Sequence, residues 1–176
     1  QWRNANGIDQ LQMVLQELRE NPTSRRLMVS AWNVHDLHDM VLPPCHYNFQ
    51  LFYNDGKLDL MWQQRSADVF LGLPYDITMY GLLLEMIADG AGYEPGTLIA
   101  SLGDCHLYNN HLDQAKLQLS RTPRSIPKII LNPAVKDIFQ FDFEDFDNCK
   151  LNGQIKKIRR NSYGARYTKK STAYTN

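Results

Sequence analysis

The most reactive side chain of the sequence is a thiol on a stiff loop. Cys45 follows Pro43 and Pro44 and precedes His46. The two prolines restrict the backbone, so an exposed cysteine here would point in a fixed direction, as a nucleophile must. A buried structural cysteine is the commoner role of a lone thiol, and spacing alone favours that interpretation.

Two arginine sites could bind an anion or stabilise a thiolate. Arg25 and Arg26 are adjacent, and Arg65 is followed by Ser66. Guanidinium groups bind phosphate through paired hydrogen bonds, and a hydroxyl adds a further donor. Either site could also supply the positive charge that a reactive cysteine needs. A salt bridge at the surface is the ordinary role of a single arginine, but three arginines and a serine that flank one thiol loop favour a phosphate site.

Four other polar residues could contact a ligand. Asp68 lies in an otherwise apolar loop, and Asp76 lies at the start of a predicted helix, where the helix dipole alone could explain a first-turn aspartate. His106 and Tyr108 alternate, so on an extended segment both would face the same side and could bind a sugar hydroxyl. A core histidine packed on a tyrosine is the alternative.

The cysteines do not predict a metal site or a disulfide framework. Cys45-His46 and Cys105-His106 are adjacent pairs, whose side chains point to opposite faces of a strand, and no C-x₂₋₄-C spacing occurs. With Cys149 the cysteines number three, which favours reduced thiols.

The sequence pattern around these residues predicts a mixed α+β domain built on one sheet. Helical periodicity predicts helices over 8–20, 75–89 and 106–119. Alternating or apolar runs predict strands over 26–32, 47–53, 57–63, 97–102 and 128–131, with a hairpin turn at 54–56.

Composition and charge indicate one domain with a basic extension. The 176 residues are 43% hydrophobic and 22% charged, and 19 basic side chains balance 19 acidic ones. Residues 1–150 carry 12 basic and 19 acidic side chains, whereas residues 151–176 carry 7 basic and none acidic. We therefore predict a domain over 1–150 and an extension over 151–176 that is solvated or binds an acidic partner or nucleic acid. No apolar run is long enough to span a membrane and no signal peptide is evident, so a cytoplasmic protein is expected.

Six segments in order resemble the thymidylate synthases and the related pyrimidine nucleotide hydroxymethylases: SRRLMVSAWN, LPPCHYNFQLF, QQRSADVFLGLPYDITMYGLLLEMIA, LGDCHLYNNHLDQ, LQLSRTPR and FEDF. The resemblance covers about residues 1–146. It implies a mixed sheet packed with helices, a homodimer with the sheet at its interface, and one-carbon transfer from 5,10-methylenetetrahydrofolate to C5 of a pyrimidine deoxynucleoside monophosphate.

The resemblance also implies roles for single residues. Cys45 would add to C6 of the pyrimidine, with His46 beside it, and Asp68 would be the catalytic carboxylate that serves the folate. His106 and Tyr108 would bind the 3′-hydroxyl of the deoxyribose.

For the nucleotide phosphate, the resemblance implies ligands from two subunits. Arg65 and Ser66 would bind it within one subunit, and Arg25 and Arg26 would reach across to the partner's phosphate. Gln64 belongs to the same nucleotide-binding motif.

One departure from the thymidylate synthases concerns the base. Their motif LPFNIASY has Asn where LPYDITMY has Asp76. A carboxylate accepts from the N4 amino group of cytosine, whereas an Asn amide donates to O4 of uracil. At this position the chain resembles the deoxycytidylate (dCMP) hydroxymethylases of bacteriophages, so we expect hydroxymethylation of dCMP and, with it, a phage-infected bacterial host.

Two further departures concern the ends of the chain. The family's C-terminal segment, which shields the reaction from water, is replaced here, which favours a hydroxymethyl product. The family's N-terminal part, with an arginine loop and a catalytic glutamate, is missing from the sequence, so this chain is expected to be a competent enzyme only if a separate polypeptide supplies those groups. The alternatives are a thymidylate synthase or hydroxymethylase acting on dUMP, and a non-catalytic nucleotide-binding or assembly module.

Overall fold

A computed structural model describes residues 7–125 and 130–146 of the chain. It contains three α-helices and a four-stranded sheet in the order α1 Gln10–Glu20, β1 Met28–Ser30, β2 His46–Asn54, β3 Lys57–Asp68, α2 Gly72–Ala91, β4 Glu94–His106 and α3 Leu112–Leu119. Single 3₁₀ turns lie at Leu37–Asp39, Asn109–His111, Ile138–Gln140 and Phe143–Phe146. The predicted α+β class is confirmed.

The sheet has the order β1-β2-β3-β4, and its two kinds of pairing follow from the connections. β2 and β3 form the predicted antiparallel hairpin, whose turn places Asp55 and Gly56 at positive φ. β3 and β4 are parallel, because the long helix α2 carries the chain back between them. This arrangement brings the end of β3, with Asp68, beside the end of β4, with His106.

One face of the sheet is covered by α1 and α2. Asp9 caps α1 by accepting a hydrogen bond from the Gln12 N–H, and Gly92 ends α2 in the left-handed conformation. The apolar side chains buried between these helices and the sheet are Val14, Leu15, Leu18, Leu27, Val29, Phe49, Leu51, Leu58, Leu60, Trp62, Tyr80, Leu84, Ile87 and Ala88.

Helix α2 begins three residues before the predicted start at 75, so that prediction was wrong. Pro74 lies inside the first turn, where backbone N–H groups have no partner within the helix and a proline is tolerated. Asp76 therefore lies in the second turn, and the first turn contains no acidic residue. The helix dipole does not account for Asp76.

Other predicted boundaries also change. β3 and β4 continue to Asp68 and His106, beyond the predicted ends at 63 and 102, because each strand pairs with its neighbour over that length. His106 ends a strand and does not begin a helix. Of the strand predicted at 128–131, residues 128 and 129 lie outside the described residues, and Ile130 and Leu131 are not in a strand. Cys149 and the predicted extension over 151–176 also lie outside the described residues.

Within the described ranges, no helix is long and apolar enough to span a membrane.

Candidate active site

The Cys45 thiol lies against a guanidinium that the same loop holds in place. Arg65 on β3 donates from Nε to the Pro44 carbonyl at 3.0 Å and from Nη2 to the Pro43 carbonyl at 2.7 Å. The same Nη2 lies 3.8 Å from Cys45 Sγ, and the Arg65 backbone N–H donates to the Cys45 carbonyl at 2.9 Å. The two prolines thus do more than stiffen the loop, because their carbonyls orient the cation that faces the sulfur. A thiolate at Cys45 would be stabilised by this charge.

Strand β4 approaches the backbone of Arg65 closely. A Cβ atom at Gly103 would lie 2.7 Å from the Arg65 carbonyl oxygen, which is closer than real contacts permit. Glycine is therefore required where β4 passes the arginine.

Asp76 is the centre of a second group of polar side chains, on the α2 side of the sheet. Its Oδ1 lies 3.3 Å from His46 Nε2, and its Oδ2 accepts from Gln64 Nε2 at 3.0 Å. The Gln64 amide also donates to the Ser66 carbonyl at 3.0 Å and accepts from Trp62 Nε1 at 3.1 Å. Gln64 is only 4% exposed, so the sheet contributes a fully hydrogen-bonded amide to the Asp76 carboxylate.

Two aromatic residues that the sequence reasoning missed form the back of this group. The Tyr80 ring stacks on Trp62 with centroids 4.9 Å apart and on His46 with centroids 5.6 Å apart. Burial, with the nearby Asp76 carboxylate, raises the pKa of Tyr80 to about 12. A signal was present, since Tyr80 follows Asp76 by four residues on α2 and Trp62 precedes Gln64 by two on β3, which places each pair on one face.

Asp68 lies next to the Asp76 group, at the beginning of α2. Its Oδ1 accepts from the backbone N–H groups of Phe70 at 3.0 Å and Leu71 at 3.3 Å, so it supports the turn into the helix. A Cβ atom at Gly72 would lie 3.6 Å from Asp68 Cβ and 3.8 Å from Asp76 Oδ2. The two carboxylates therefore lie on either side of this glycine.

His106 and Tyr108 lie together at the end of β4, close to Asp68. Their rings make an edge-to-face contact with centroids 5.0 Å apart. His106 Nδ1 lies 3.3 Å from the Asp104 carbonyl oxygen, and the His106 carbonyl accepts from the Val69 N–H at 3.0 Å. The alternation of His106 and Tyr108 thus does bring the two rings together.

Arg25 and Arg26 lie away from Cys45 in this chain. They occupy an exposed turn before β1, and Arg26 lines a cavity of about 590 Å³ beside α1. The carbonyl of Leu27 accepts from the Leu51 N–H at 2.8 Å. Leu51 is six residues of extended strand from Cys45, which corresponds to about 20 Å. Of the two sources of positive charge that the sequence offered for the thiol, the structure places Arg65 beside it.

Cys45 is half-buried and Cys105 is exposed, and both are free thiols. Among residues 7–125 and 130–146, no three His, Cys, Asp or Glu side chains converge as metal ligands would.

The family model described as thymidylate synthase matches residues 1–158 of this chain. The match covers most of the 176 residues and confirms the resemblance at the level of the family. Cys45, Arg65, Asp68, Asp76 and the His106–Tyr108 pair all fall within the matched segment. The chain therefore belongs to the thymidylate synthase family, which carries out folate-dependent one-carbon transfer to C5 of pyrimidine nucleotides.

Proposed function

We propose that the protein hydroxymethylates dCMP at C5, using 5,10-methylenetetrahydrofolate as the one-carbon donor. The observation that carries this proposal is the carboxylate of Asp76. It is held on both oxygens by His46 and Gln64 and is 17% exposed.

The hydrogen-bonding pattern of cytosine fits this carboxylate. Cytosine presents an N4 amino donor, and Asp76 accepts from it. Uracil presents the O4 carbonyl at the same place, so its oxygen would face an oxygen. A mismatch of this kind at a buried site costs roughly 1–3 kcal/mol, which corresponds to up to about a hundredfold in preference. The hydroxymethyl product is supported by the resemblance to dCMP hydroxymethylases at Asp76.

Cys45 is proposed as the nucleophile. Its thiolate forms a bond to C6 of the pyrimidine, and the electron pair of the C5–C6 double bond moves to C5, which becomes the nucleophilic carbon. The Arg65 guanidinium, 3.8 Å from the sulfur, stabilises the thiolate before addition and again when C5 loses its proton and the sulfur leaves.

The residues near Asp68 fit the folate. Both backbone N–H donors that the described residues supply to Asp68 bind Oδ1, which leaves Oδ2 for an N–H group of a pterin ring. Exposed apolar side chains follow at Val69, Leu71 and Tyr75, and these suit a flat aromatic ring. When bound, the folate supplies a one-carbon unit at the oxidation level of formaldehyde, and Asp68 would orient it.

The phosphate and the sugar would be bound by the residues that the resemblance implies. Arg65 and Ser66 would bind the phosphate within one subunit, and Arg25 and Arg26 would bind it from the partner of a homodimer. Their distance of about 20 Å from Cys45 along the sheet supports a role in another subunit's site. His106 and Tyr108 would hydrogen-bond the 3′-hydroxyl.

The face of the sheet opposite α1 and α2 supports a dimer. Met28, Gln50, Met61 and Ile99 are partners in register and form a row across all four strands. Met28 is 49% exposed and Ile99 is 43% exposed, on the face opposite the core. Three of the four side chains in this row are apolar, and exposed apolar side chains grouped in this way are typical of a surface buried by association.

The test is turnover of dCMP and dUMP, each with 5,10-methylenetetrahydrofolate, followed by mass spectrometry of the product. We expect 5-hydroxymethyl-dCMP, and a dCMP preference that Asp76→Asn reverses. The matched control is Asp89→Asn, a partly exposed carboxylate on the same helix that pairs with Lys136. It should leave the preference unchanged.

Other results would lead to other assignments. Faster turnover of dUMP by the unmodified protein would make it a thymidylate synthase or dUMP hydroxymethylase. Binding of both nucleotides without release of the C5 hydrogen, even when a separate polypeptide with the family's N-terminal part is added, would make it a non-catalytic nucleotide-binding module.

A further inference from the structure

We propose that Gln64 is a positioning residue that sets the hydrogen-bonding polarity of residue 76, and thereby the base that this position selects. The inference rests on the proposed function for the identity of the base. The hydrogen bonds on which it depends, however, lie within the protein and can be tested without a nucleotide.

Three hydrogen bonds fix the orientation of the Gln64 amide. Trp62 Nε1 can only donate, so the atom facing it at 3.1 Å must be the amide oxygen. The Ser66 carbonyl can only accept, so the atom facing it at 3.0 Å must be the NH₂ group. Since the side chain is 4% exposed, a flip of the amide would leave buried groups unpaired. The NH₂ group that faces Asp76 is therefore always a donor.

This donor restricts what residue 76 can present on its other side. Oδ2 of Asp76 must accept from Gln64, so a proton on the carboxyl group would be confined to Oδ1. An asparagine at position 76 would have to turn its oxygen toward Gln64 and its NH₂ group toward His46. The second atom of residue 76 is thus an acceptor when the residue is an ionised Asp, and Gln64 makes it a donor when the residue is Asn. The acceptor suits an amino group such as N4 of cytosine, and the donor suits a carbonyl such as O4 of uracil.

His46 reports this polarity directly. Its Nε2 lies 3.3 Å from Asp76 Oδ1, so beside the carboxylate Nε2 must carry the proton. Beside an Asn NH₂ group, Nε2 must be the acceptor, and the proton moves to Nδ1. Nδ1 has no hydrogen-bond partner among the described residues, so the tautomer is decided by residue 76 and not by the other side of the ring.

The experiment is ¹⁵N NMR of the full chain with labelled histidine, at a pH high enough to keep the imidazole neutral. The signal of His46 is assigned by its loss in His46→Gln. We expect the Nε2–H tautomer in the unmodified protein and the Nδ1–H tautomer in Asp76→Asn. In Asp76→Asn/Gln64→Met, in which nothing orients the new amide, the Nε2–H tautomer should return in part. Asp89→Asn is the matched control and should leave the His46 tautomer unchanged.

Retention of the Nε2–H tautomer in the near-isosteric Asp76→Asn protein would overturn the inference. An Nδ1–H tautomer that persists in the double variant would also overturn it, because Gln64 would then not be the cause. Gln64→Leu in the same background provides a second test if Gln64→Met does not fold, and the Nε2–H tautomer should return in part there too.

Equilibrium binding of dCMP and dUMP separates this inference from the proposed function. We expect Asp76→Asn to favour dUMP by about tenfold and the double variant to bring the ratio close to one. If the unmodified protein prefers dUMP, the proposed base is wrong, while the NMR result still decides whether Gln64 sets the polarity.

Discussion

The two arginine sites of the chain are built in opposite ways. Arg65 is bonded to the carbonyls of Pro43 and Pro44 and lies 3.8 Å from the Cys45 sulfur, so its position is determined within one chain. Arg25 and Arg26 lie in an exposed turn, and the next residue, Leu27, bonds to Leu51, about 20 Å along β2 from Cys45. The Arg65 cation is thus fixed by hydrogen bonds within the chain, whereas the side chains of Arg25 and Arg26 are left accessible.

The largest expected effect comes from removing the thiol that Arg65 faces. Cys45→Ser should lower turnover by more than about a thousandfold, because a serine hydroxyl at neutral pH is a far weaker nucleophile than a thiolate beside a guanidinium. Nucleotide binding should change little. Steady-state turnover and calorimetric binding measure the two quantities separately.

Cys105→Ser is the matched control, since Cys105 is exposed and lies on β4. It should retain turnover. Activity that survives in Cys45→Ser and is lost in Cys105→Ser would show that the nucleophile is Cys105 and not Cys45.

Mixing subunits tests whether Arg26, unlike Arg65, serves the site of the partner subunit. Arg26→Ala should weaken nucleotide binding by about tenfold or more, through loss of a charged hydrogen bond to phosphate. If Arg26 serves the partner's site, Arg26→Ala and Cys45→Ser proteins mixed and allowed to exchange subunits should regain activity, with about a quarter of the sites intact. Turnover is measured before and after mixing at a nucleotide concentration far below the Kd of the Arg26→Ala protein, where that protein alone turns over about tenfold more slowly than the unmodified protein. If Arg26 serves its own subunit's site, no heterodimer contains an intact site and mixing restores nothing.

The sequence predicted the residues of the site better than the bonds between them. Cys45 and Arg65 were both identified from residue type and from the resemblance. That Pro43 and Pro44 orient the arginine through their carbonyls could not be predicted, because it depends on the pairing of β2 with β3. Local periodicity does not specify which residues face each other across a sheet.

The Asp76 group shows the same limit. The sequence singles out Asp76, but it predicts the start of α2 too late, because a proline such as Pro74 is typical of the segment before a helix as well as of its first turn. Trp62 and Gln64 lie on β3, whereas Asp76, to which Gln64 donates, lies on α2. The apolar residues of this group, including Tyr80, have the sequence pattern of ordinary core residues. The sequence pattern does not predict that α2 crosses β3 at the position that brings Asp76 to Gln64.

Gly103 allows β4 to pass close to the backbone of Arg65, so its replacement tests how firmly Arg65 is held. Gly103→Ala should destabilise the fold by about 1–3 kcal/mol, because the new methyl group would overlap the Arg65 carbonyl and push β4 or the arginine aside. Turnover per folded molecule should also fall. The control is Gly81→Ala on α2, where the methyl group would meet, among the residues that the structure describes, only the side chain of Leu98 at 3.8 Å. It should stabilise the helix by about 0.5–1 kcal/mol. Urea unfolding measures both, and equal effects would contradict the close approach.

The smallest expected effect concerns Tyr80, which supports the Asp76 side of the site. Its hydroxyl is buried and has no hydrogen-bond partner in the described part of the chain, so Tyr80→Phe should change stability at pH 7 by less than about 1 kcal/mol. The difference should appear in alkali. Burial and the Asp76 charge raise the pKa of Tyr80 from 10.0 to about 12, so the folded state holds the proton more tightly than the unfolded state. The contribution of protonated Tyr80 to the free energy of unfolding is complete below pH 10 and is lost as the pH rises toward 12. Unfolding free energies of the two proteins between pH 9 and 12 measure it, and parallel curves would show that Tyr80 does not titrate differently on folding.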